Sequence, residues 1–380
     1  MLLPLFPNTN IKEDTGKTPL DLAAYKGHHQ CVQLLCVFYG ACVWVQDSIT
    51  RRTPVHCAAA AGHINCLEFL LENAGDSNVI NCCDIKQRTP LTLAVANSNP
   101  ECVMLLLKYK ADCNLADINK HTPLFRAVIK ERDHQLVELL LAHGAQVAIQ
   151  DANGKTPLHL AAACGRLVPS TYNQEIYRDF YFYLNLIFFH RVKALASLVK
   201  ANPAAATLKD DQGCTVLHWA CYNGNSNCVE YLLEQNVIDS LEGRYFSVEI
   251  VKKIYFWNLN HFVLYTGTPF SAVHCAVYQG SAHCLELLIN KFGGKAVAAP
   301  RDIPGGRLPL HVAASSGSVE CAKLILSSVG PELAGLETPD YSGRTPLLCA
   351  AITGQCSAIG MFYSILRECL ILIWYFFILM

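Results

Sequence analysis

One short phrase recurs along this chain of 380 residues and limits its fold more than any other feature. Its fullest form is Thr156-Pro157-Leu158-His159, followed by Leu160-Ala161-Ala162. Thr18-Pro19-Leu20, Thr53-Pro54-Val55-His56, Thr89-Pro90-Leu91, Thr122-Pro123-Leu124 and Thr345-Pro346-Leu347 repeat its head. Thr215-Val216-Leu217-His218, Ser271-Ala272-Val273-His274 and Leu308-Pro309-Leu310-His311 are eroded copies, making nine anchors. Successive anchors lie 35, 36, 33, 34, 59, 56, 37 and 37 residues apart. A period of this size means that one supersecondary unit is stacked many times over, since a single unit cannot bury its own apolar face.

The chemistry of the anchor explains why it starts a helix. Thr suits the N-cap, where its hydroxyl accepts a bond from an orphan backbone N–H, and Pro is tolerated at N1, where no N–H is needed. His three residues after the Thr can return a side-chain bond to the cap. Small residues follow, as in Ala58-Ala59-Ala60, Ala161-Ala162-Ala163 and Ala313-Ala314, and let neighbouring inner helices pack closely. Gly27-His28 and Gly62-His63 then close that helix, because Gly takes the left-handed C′ position without a Cβ penalty. A second helix follows with apolar residues at helical spacing, such as Cys66-Leu67-Glu68-Phe69-Leu70-Leu71 and Leu136-Val137-Glu138-Leu139-Leu140-Leu141. The period and the Thr-Pro-Leu-His signature resemble the ankyrin-repeat family. The expected fold is therefore all-α, an ankyrin-repeat solenoid of about nine helix-turn-helix repeats with β-turn fingers.

Two insertions account for the long spacings. Excising 167–191 restores a period of 34, and excising 244–267 restores one of 32. The chain then reads as an irregular start (1–9), repeats one to five (10–166), an insertion (167–191), the rest of repeat five and repeat six (192–243), an insertion (244–267), repeats seven to nine (268–359) and a hydrophobic tail (360–380). No polar capping repeat precedes the first anchor, so the chain is expected to be a segment of a longer array. Both insertions and the tail are rich in Phe, Tyr, Ile, Leu and Asn, residues written by A/T-rich codons. Arg244-Tyr245 and Gly360-Met361 can also be encoded by donor-like splice sequences. The expectation is that all three stretches are translated intron sequence, and that the insertions loop out and expose aromatic surface.

Composition excludes several functional classes. The formal net charge of −1 gives no bulk attraction to nucleic acid or to an anionic membrane. The 19 cysteines would suggest disulfides in a small secreted protein, but here they are phased. Cys31, Cys66, Cys102, Cys228, Cys284 and Cys321 share one position of the outer helix with Leu136 and Leu195, so that position is expected to be buried and apolar. Cys57, Cys221, Cys275 and Cys349 fall in inner helices. No Cys-x-x-Cys pair occurs, and Cys82-Cys83 has no partner pair at ligand spacing, so no metal is expected. The start Met1-Leu2-Leu3-Pro4 lacks the features of a signal peptide. Residues 361–380 approach the length of a membrane span, but Arg367 and Glu368 interrupt them. The chain has no phosphate-binding glycine loop, no nucleophile elbow and no metal-ligand cluster. It reads as a non-enzyme without a cofactor, cytoplasmic or nuclear; the alternative is a membrane-associated adaptor or channel-like array anchored by its tail.

A solenoid presents a long face of turn tips and inner helices to partners. Candidate protein-binding residues at the tips are Lys86, Gln87, Asn119, Lys120, Asn153, Gln212, Tyr341 and Ser342. Trp219 and Tyr222 are candidate aromatic anchors on inner helices, beside Tyr25, Phe125 and Tyr278; buried packing is the alternative for each. Lys17, Arg52, Arg88, His121, Lys155, Arg307 and Arg344 precede their anchors and form a weakly basic row, read as solvated turn residues ahead of a site for an acidic partner.

Four stretches narrow the resemblance: 16–28 (from Gly16-Lys17-Thr18 to Gly27-His28), 155–165, 215–224 and 270–277. In that order they resemble the C-terminal half of the ankyrin-repeat regulatory subunits of the serine/threonine protein phosphatase 6 holoenzyme. The resemblance covers about residues 10 to 359 without the insertions. It implies a non-catalytic scaffold whose partners are the phosphatase 6 catalytic subunit and its substrates.

Overall fold

The computed structural model describes residues 10–74, 77–129, 134–163, 192–237, 271–294, 297, 306–365 and 367. Both insertions, and the tail apart from residues 360–365 and 367, lie outside these residues, as do the expectations made for the insertions. Among the described residues all regular structure is helical. The chain divides into two compact units, one formed by residues 1–161 and 177–202 and the other by 162–176 and 203–380.

Each unit is a helical-repeat solenoid. In the first, inner helices Pro19–Lys26, Pro54–Ala61, Pro90–Ala96 and Pro123–Ile129 alternate with outer helices His29–Val37, Ile64–Glu72, Pro100–Lys108 and His134–Ala142. In the second, Val216–Tyr222, Ala272–Gln279, Pro309–Ser316 and Pro346–Ile352 are the inner helices. Their outer partners are Ser226–Glu234, Ala282–Phe292, Val319–Leu333 (broken at Gly330, φ 77°) and 356–365. Inner helices pack on inner helices and outer on outer in chain order. Short 3₁₀ turns at Ser77–Asn81 and Pro203–Thr207 lead toward two of the fingers.

The anchors begin the inner helices for the expected reason. Thr18 is extended (φ −86°, ψ 162°) and its hydroxyl accepts the backbone N–H of Asp21, whose carboxylate accepts the N–H of Thr18 in return at 2.8 Å. Thr53 and His56 make the same reciprocal cap. Gly27 closes the first inner helix at φ 76°, and the next repeat presses so close that a Cβ there would lie 2.5 Å from Nδ1 of His63. A larger residue at this point would both strain the backbone and push the next repeat away.

The core follows the phase of the sequence. Leu67 and Leu70 are fully buried, each contributing about 1.5–3 kcal/mol by leaving water. Cys66, Cys102, Cys228, Cys284 and Cys321 are buried at one shared position, with Leu136 and Leu195 in the same role. Cys31 is the exception: it is exposed, contrary to the phasing argument. Burial at this position needs a helix pair on the N-terminal side, and the described residues hold none beside the first outer helix. That helix buries only Val32 and leaves Val37 62% exposed, with Phe38 just beyond its end 73% exposed. At the other end, the helix 356–365 runs through Gly360, and Phe362 is fully buried at the position that Leu70 and Ile325 occupy in their repeats. No described helix is long and apolar enough to cross a membrane.

Candidate protein-binding face

The fingers are built around one aspartate each. Asp84 accepts the backbone N–H groups of Lys86 and Arg88 at 2.8 and 2.9 Å, and Asp117 those of Asn119 and His121 at 2.9 and 3.0 Å. Asp151, Asp210 and Asp340 hold Asn153 and Lys155, Gln212 and Cys214, and Ser342 and Arg344 in the same way. Such a turn consumes the carboxylate and turns the residues between its bonds outward. In the first unit, consecutive fingers are then tied backbone to backbone. The N–H of Ile85 donates to the carbonyl of Thr50 at 2.9 Å, that of Ile118 to Lys86 at 3.2 Å and that of Ala152 to Asn119 at 3.2 Å.

These turns place most of the expected tip residues at the surface. Lys86, Gln87, Asn119, Lys120, Asn153, Tyr341 and Ser342 are exposed, and Gln212 is half-buried. Lys86, Gln87, Asn119, Lys120 and Asn153 form one edge across three consecutive fingers of the first unit. Gln87 (φ 56°) and Lys120 (φ 59°) take left-handed conformations where other fingers have Gly154 and Gly343. That costs about 1–2 kcal/mol per residue relative to glycine. Gln212, Tyr341 and Ser342 belong to the second unit.

The aromatic candidates divide by burial. Phe125 is fully buried and stacks on His121 with ring centroids 5.2 Å apart, so it is a packing residue. Tyr25 is half exposed, with the ammonium groups of Lys17 and Lys26 at 5.7 and 5.9 Å from its ring centre. Trp219, Tyr222 and Tyr278 come together in the second unit. Trp219 meets Tyr222 edge-on at 6.2 Å, and Tyr222 stacks on Tyr278 at 6.1 Å with an interplanar angle of 6°. The indole N–H of Trp219 donates to Asp210 at 2.8 Å, which fixes the ring to its finger. Tyr222 and Tyr278 keep 47% and 36% of their surfaces in solvent, so the strip presents flat apolar area already held in place.

Electrostatics along the first unit's fingers are dominated by Asp84. Burial pushes its carboxyl up, but the Arg88 side chain, backbone N–H groups and the Arg88 charge together hold it below its ordinary value. Arg88 reaches it at 2.7 Å and Arg52 at 3.4 Å, so two guanidinium groups share one buried carboxylate. The anchor histidines are not poised for catalysis. Burial pushes His56 and His274 down to about 4, which leaves both neutral near pH 7 and bonded through both ring nitrogens. Buried thiols go the other way: burial pushes Cys57 up to about 12 and Cys102 and Cys321 to about 11. Among the described residues no group of histidine, cysteine and carboxylate side chains could hold a metal ion.

Comparison with known proteins accords with this geometry. A profile of ankyrin repeats in three copies matches residues 43–117, 75–151, 115–169, 187–245, 241–334 and 273–364, and a single-repeat profile matches 15–48. An ankyrin repeat protein of fowlpox virus (strain NVSL) is 25% identical over 207 residues, which cover 50% of this chain and 48% of that protein. The chain thus spans about half the length of that relative. With repeat profiles matched along most of its length, onto the helix pairs and fingers described above, the chain belongs to the ankyrin-repeat family.

Proposed function

We propose that this chain is a non-catalytic protein-binding scaffold that serves as a substrate-recruiting regulatory subunit of a serine/threonine protein phosphatase 6 complex. The observation that carries the scaffold reading is the strip of Trp219, Tyr222 and Tyr278, half-exposed aromatics locked edge to face and face to face on adjoining inner helices. Aromatic side chains of this kind give large contact area at low entropic cost, which is what interface anchors need. The tips Lys86, Gln87, Asn119, Lys120, Asn153, Gln212, Tyr341 and Ser342 add polar groups whose backbone is already fixed by their aspartates. The phosphatase assignment rests on the sequence resemblance at 16–28, 155–165, 215–224 and 270–277. Affinity purification of the full chain from cell lysate, probed for the phosphatase 6 catalytic subunit, tests it. Retention of that subunit supports the assignment, and its absence from a soluble, folded bait contradicts it.

A further inference from the structure

The first unit carries a groove of about 660 Å³ on the side of its inner helices and fingers. Its shape comes from residue size at one repeated position. Tyr25 stands at the position where the next two inner helices carry Ala60 and Ala96, so the floor drops beyond the tyrosine ring. Its charge comes from Lys26, Arg52 and Arg88, with His63 beside them; no carboxylate lines it. Asp84 lies fully buried under the two arginines and uses Nε and Nη2 of Arg88 and Nε of Arg52, at 3.0, 2.7 and 3.4 Å. One carboxylate against two guanidinium groups and an ammonium leaves the groove cationic. The same carboxylate holds the arginines in place before any ligand arrives, which lowers the entropic cost of binding. A second observation concerns the fingers that carry the arginines. Ile49, Ile85 and Ile118 expose 56%, 58% and 55% of their surfaces at the tips of three consecutive fingers, two of which supply Arg52 and Arg88.

We infer that this groove binds an acidic segment of a partner protein, with carboxylates against Arg52, Arg88 and Lys26 and apolar side chains against the fingertip isoleucines. Charge complementarity selects the acidic groups, and the isoleucine row selects a segment that alternates them with apolar residues. The inference rests on the scaffold reading above and names the kind of partner that one part of the scaffold takes.

The test uses the full chain and a fluorescein-labelled decapeptide alternating glutamate and leucine, followed by fluorescence anisotropy. Lys26→Glu combined with Arg52→Gln is expected to weaken binding at least about tenfold, the effect of losing close charge pairs at an interface. Lys108→Glu, a reversal on the outer helix Pro100–Lys108, is expected to leave binding unchanged. Circular dichroism checks that each variant is folded, and Lys26→Glu alone serves if the double variant is not. Equal loss in Lys108→Glu, or no binding by the folded wild-type chain, would overturn the inference. So would stronger competition by inorganic phosphate or duplex oligonucleotide than by unlabelled peptide. Capture of the phosphatase catalytic subunit is scored on the same preparations. Peptide binding without capture supports the groove and sinks only the phosphatase assignment. Capture without peptide binding sinks only the groove.

Discussion

Nε2 of His56 lies 3.2 Å from the carbonyl oxygen of Arg88, so the helix cap of one repeat is bonded to the finger of the next. The backbone N–H of Thr53 donates to Nδ1 of the same ring at 3.2 Å, which places the ring proton on Nε2. His274 and His311 reach the carbonyls of Arg307 and Arg344 at 3.1 Å in the same way. The anchor histidine therefore couples neighbours as well as capping its own helix. In a repeat protein, coupling between neighbours sets cooperativity.

Removing one such ring should be costly. His56→Ala leaves the Thr53 N–H unpaired, removes one bond to the Arg88 carbonyl and opens a small cavity, at an expected total of about 2–4 kcal/mol. Urea unfolding of the full chain reads this as a lower midpoint. A loss below about 0.5 kcal/mol, the size of an ordinary surface substitution, would contradict the coupling role.

Acid should weaken the fold early. His56 and His274 are held near 4 against an ordinary value of 6.5, mainly by burial. Above about 6.5 the folded and unfolded chains both leave these rings neutral, and their contribution is complete. Below that, the unfolded chain takes protons that the folded chain refuses until about pH 4. Stability then falls with pH, at up to about 1.4 kcal/mol per unit for each ring. Asp84 and Asp117, held below 3.8, extend the loss at still lower pH. Thermal melts from pH 7.5 to 4.5 should show a falling midpoint that begins near 6.5. A midpoint unchanged down to pH 5 would refute the buried neutral rings.

Asp21 offers the converse change. It stands where five other repeats have His, and its Oδ1 is buried with no hydrogen-bond partner. Burial pushes its carboxyl up, ahead of the lowering effect of the Thr18 bonds, so its charge is a penalty at neutral pH. A carboxylate cannot donate to the carbonyl of Arg52 as His56 donates to that of Arg88. Asp21→His is expected to raise stability by about 1 kcal/mol at pH 7.5, the net worth of one buried hydrogen bond. An unchanged or lower melting midpoint would count against this account of the cap.

The cysteines should divide by position and not by number. Cys31 and Cys356 are exposed, while Cys57, Cys221, Cys275 and Cys284 are buried with their thiols pushed up by burial. Brief treatment of the native chain with a maleimide, followed by peptide mass mapping, is expected to modify the first two and spare the others until denaturant is added. Modification of Cys221 at the rate of Cys31 would contradict the packing described.

What could be read in the sequence was what repeats in it. Thr53-Pro54 and Thr89-Pro90 announce helix starts through local chemistry, and the Cys66, Cys102 and Cys228 phase announces an apolar stripe. Properties that depend on a neighbour were harder to see. Cys31 has the right phase but no described helix pair beside it, so its burial was expected wrongly. The bond from His56 to Arg88 spans 32 residues and ends on a carbonyl, which no side chain advertises. The finger aspartates are legible too: Asp151 and Asp340 head recognisable turns, and Asp84, Asp117, Asp151, Asp210 and Asp340 all stand five residues before an anchor. Ala60 reads in the sequence as a packing residue, and nothing there marks Ala96. That they also form the floor of a groove depends on Tyr25 standing beside them.

The proposed role is that the exposed faces of these repeats recruit a phosphatase complex. Its most direct test compares wild-type full chain with the Tyr222→Ser, Tyr278→Ser double variant as baits at equal loading, with the phosphatase 6 catalytic subunit quantified in the eluates. Clear retention by the wild type is expected, with most of it lost in the variant and both baits equally folded by circular dichroism. No retention by the wild type, or equal retention by both baits, would contradict it.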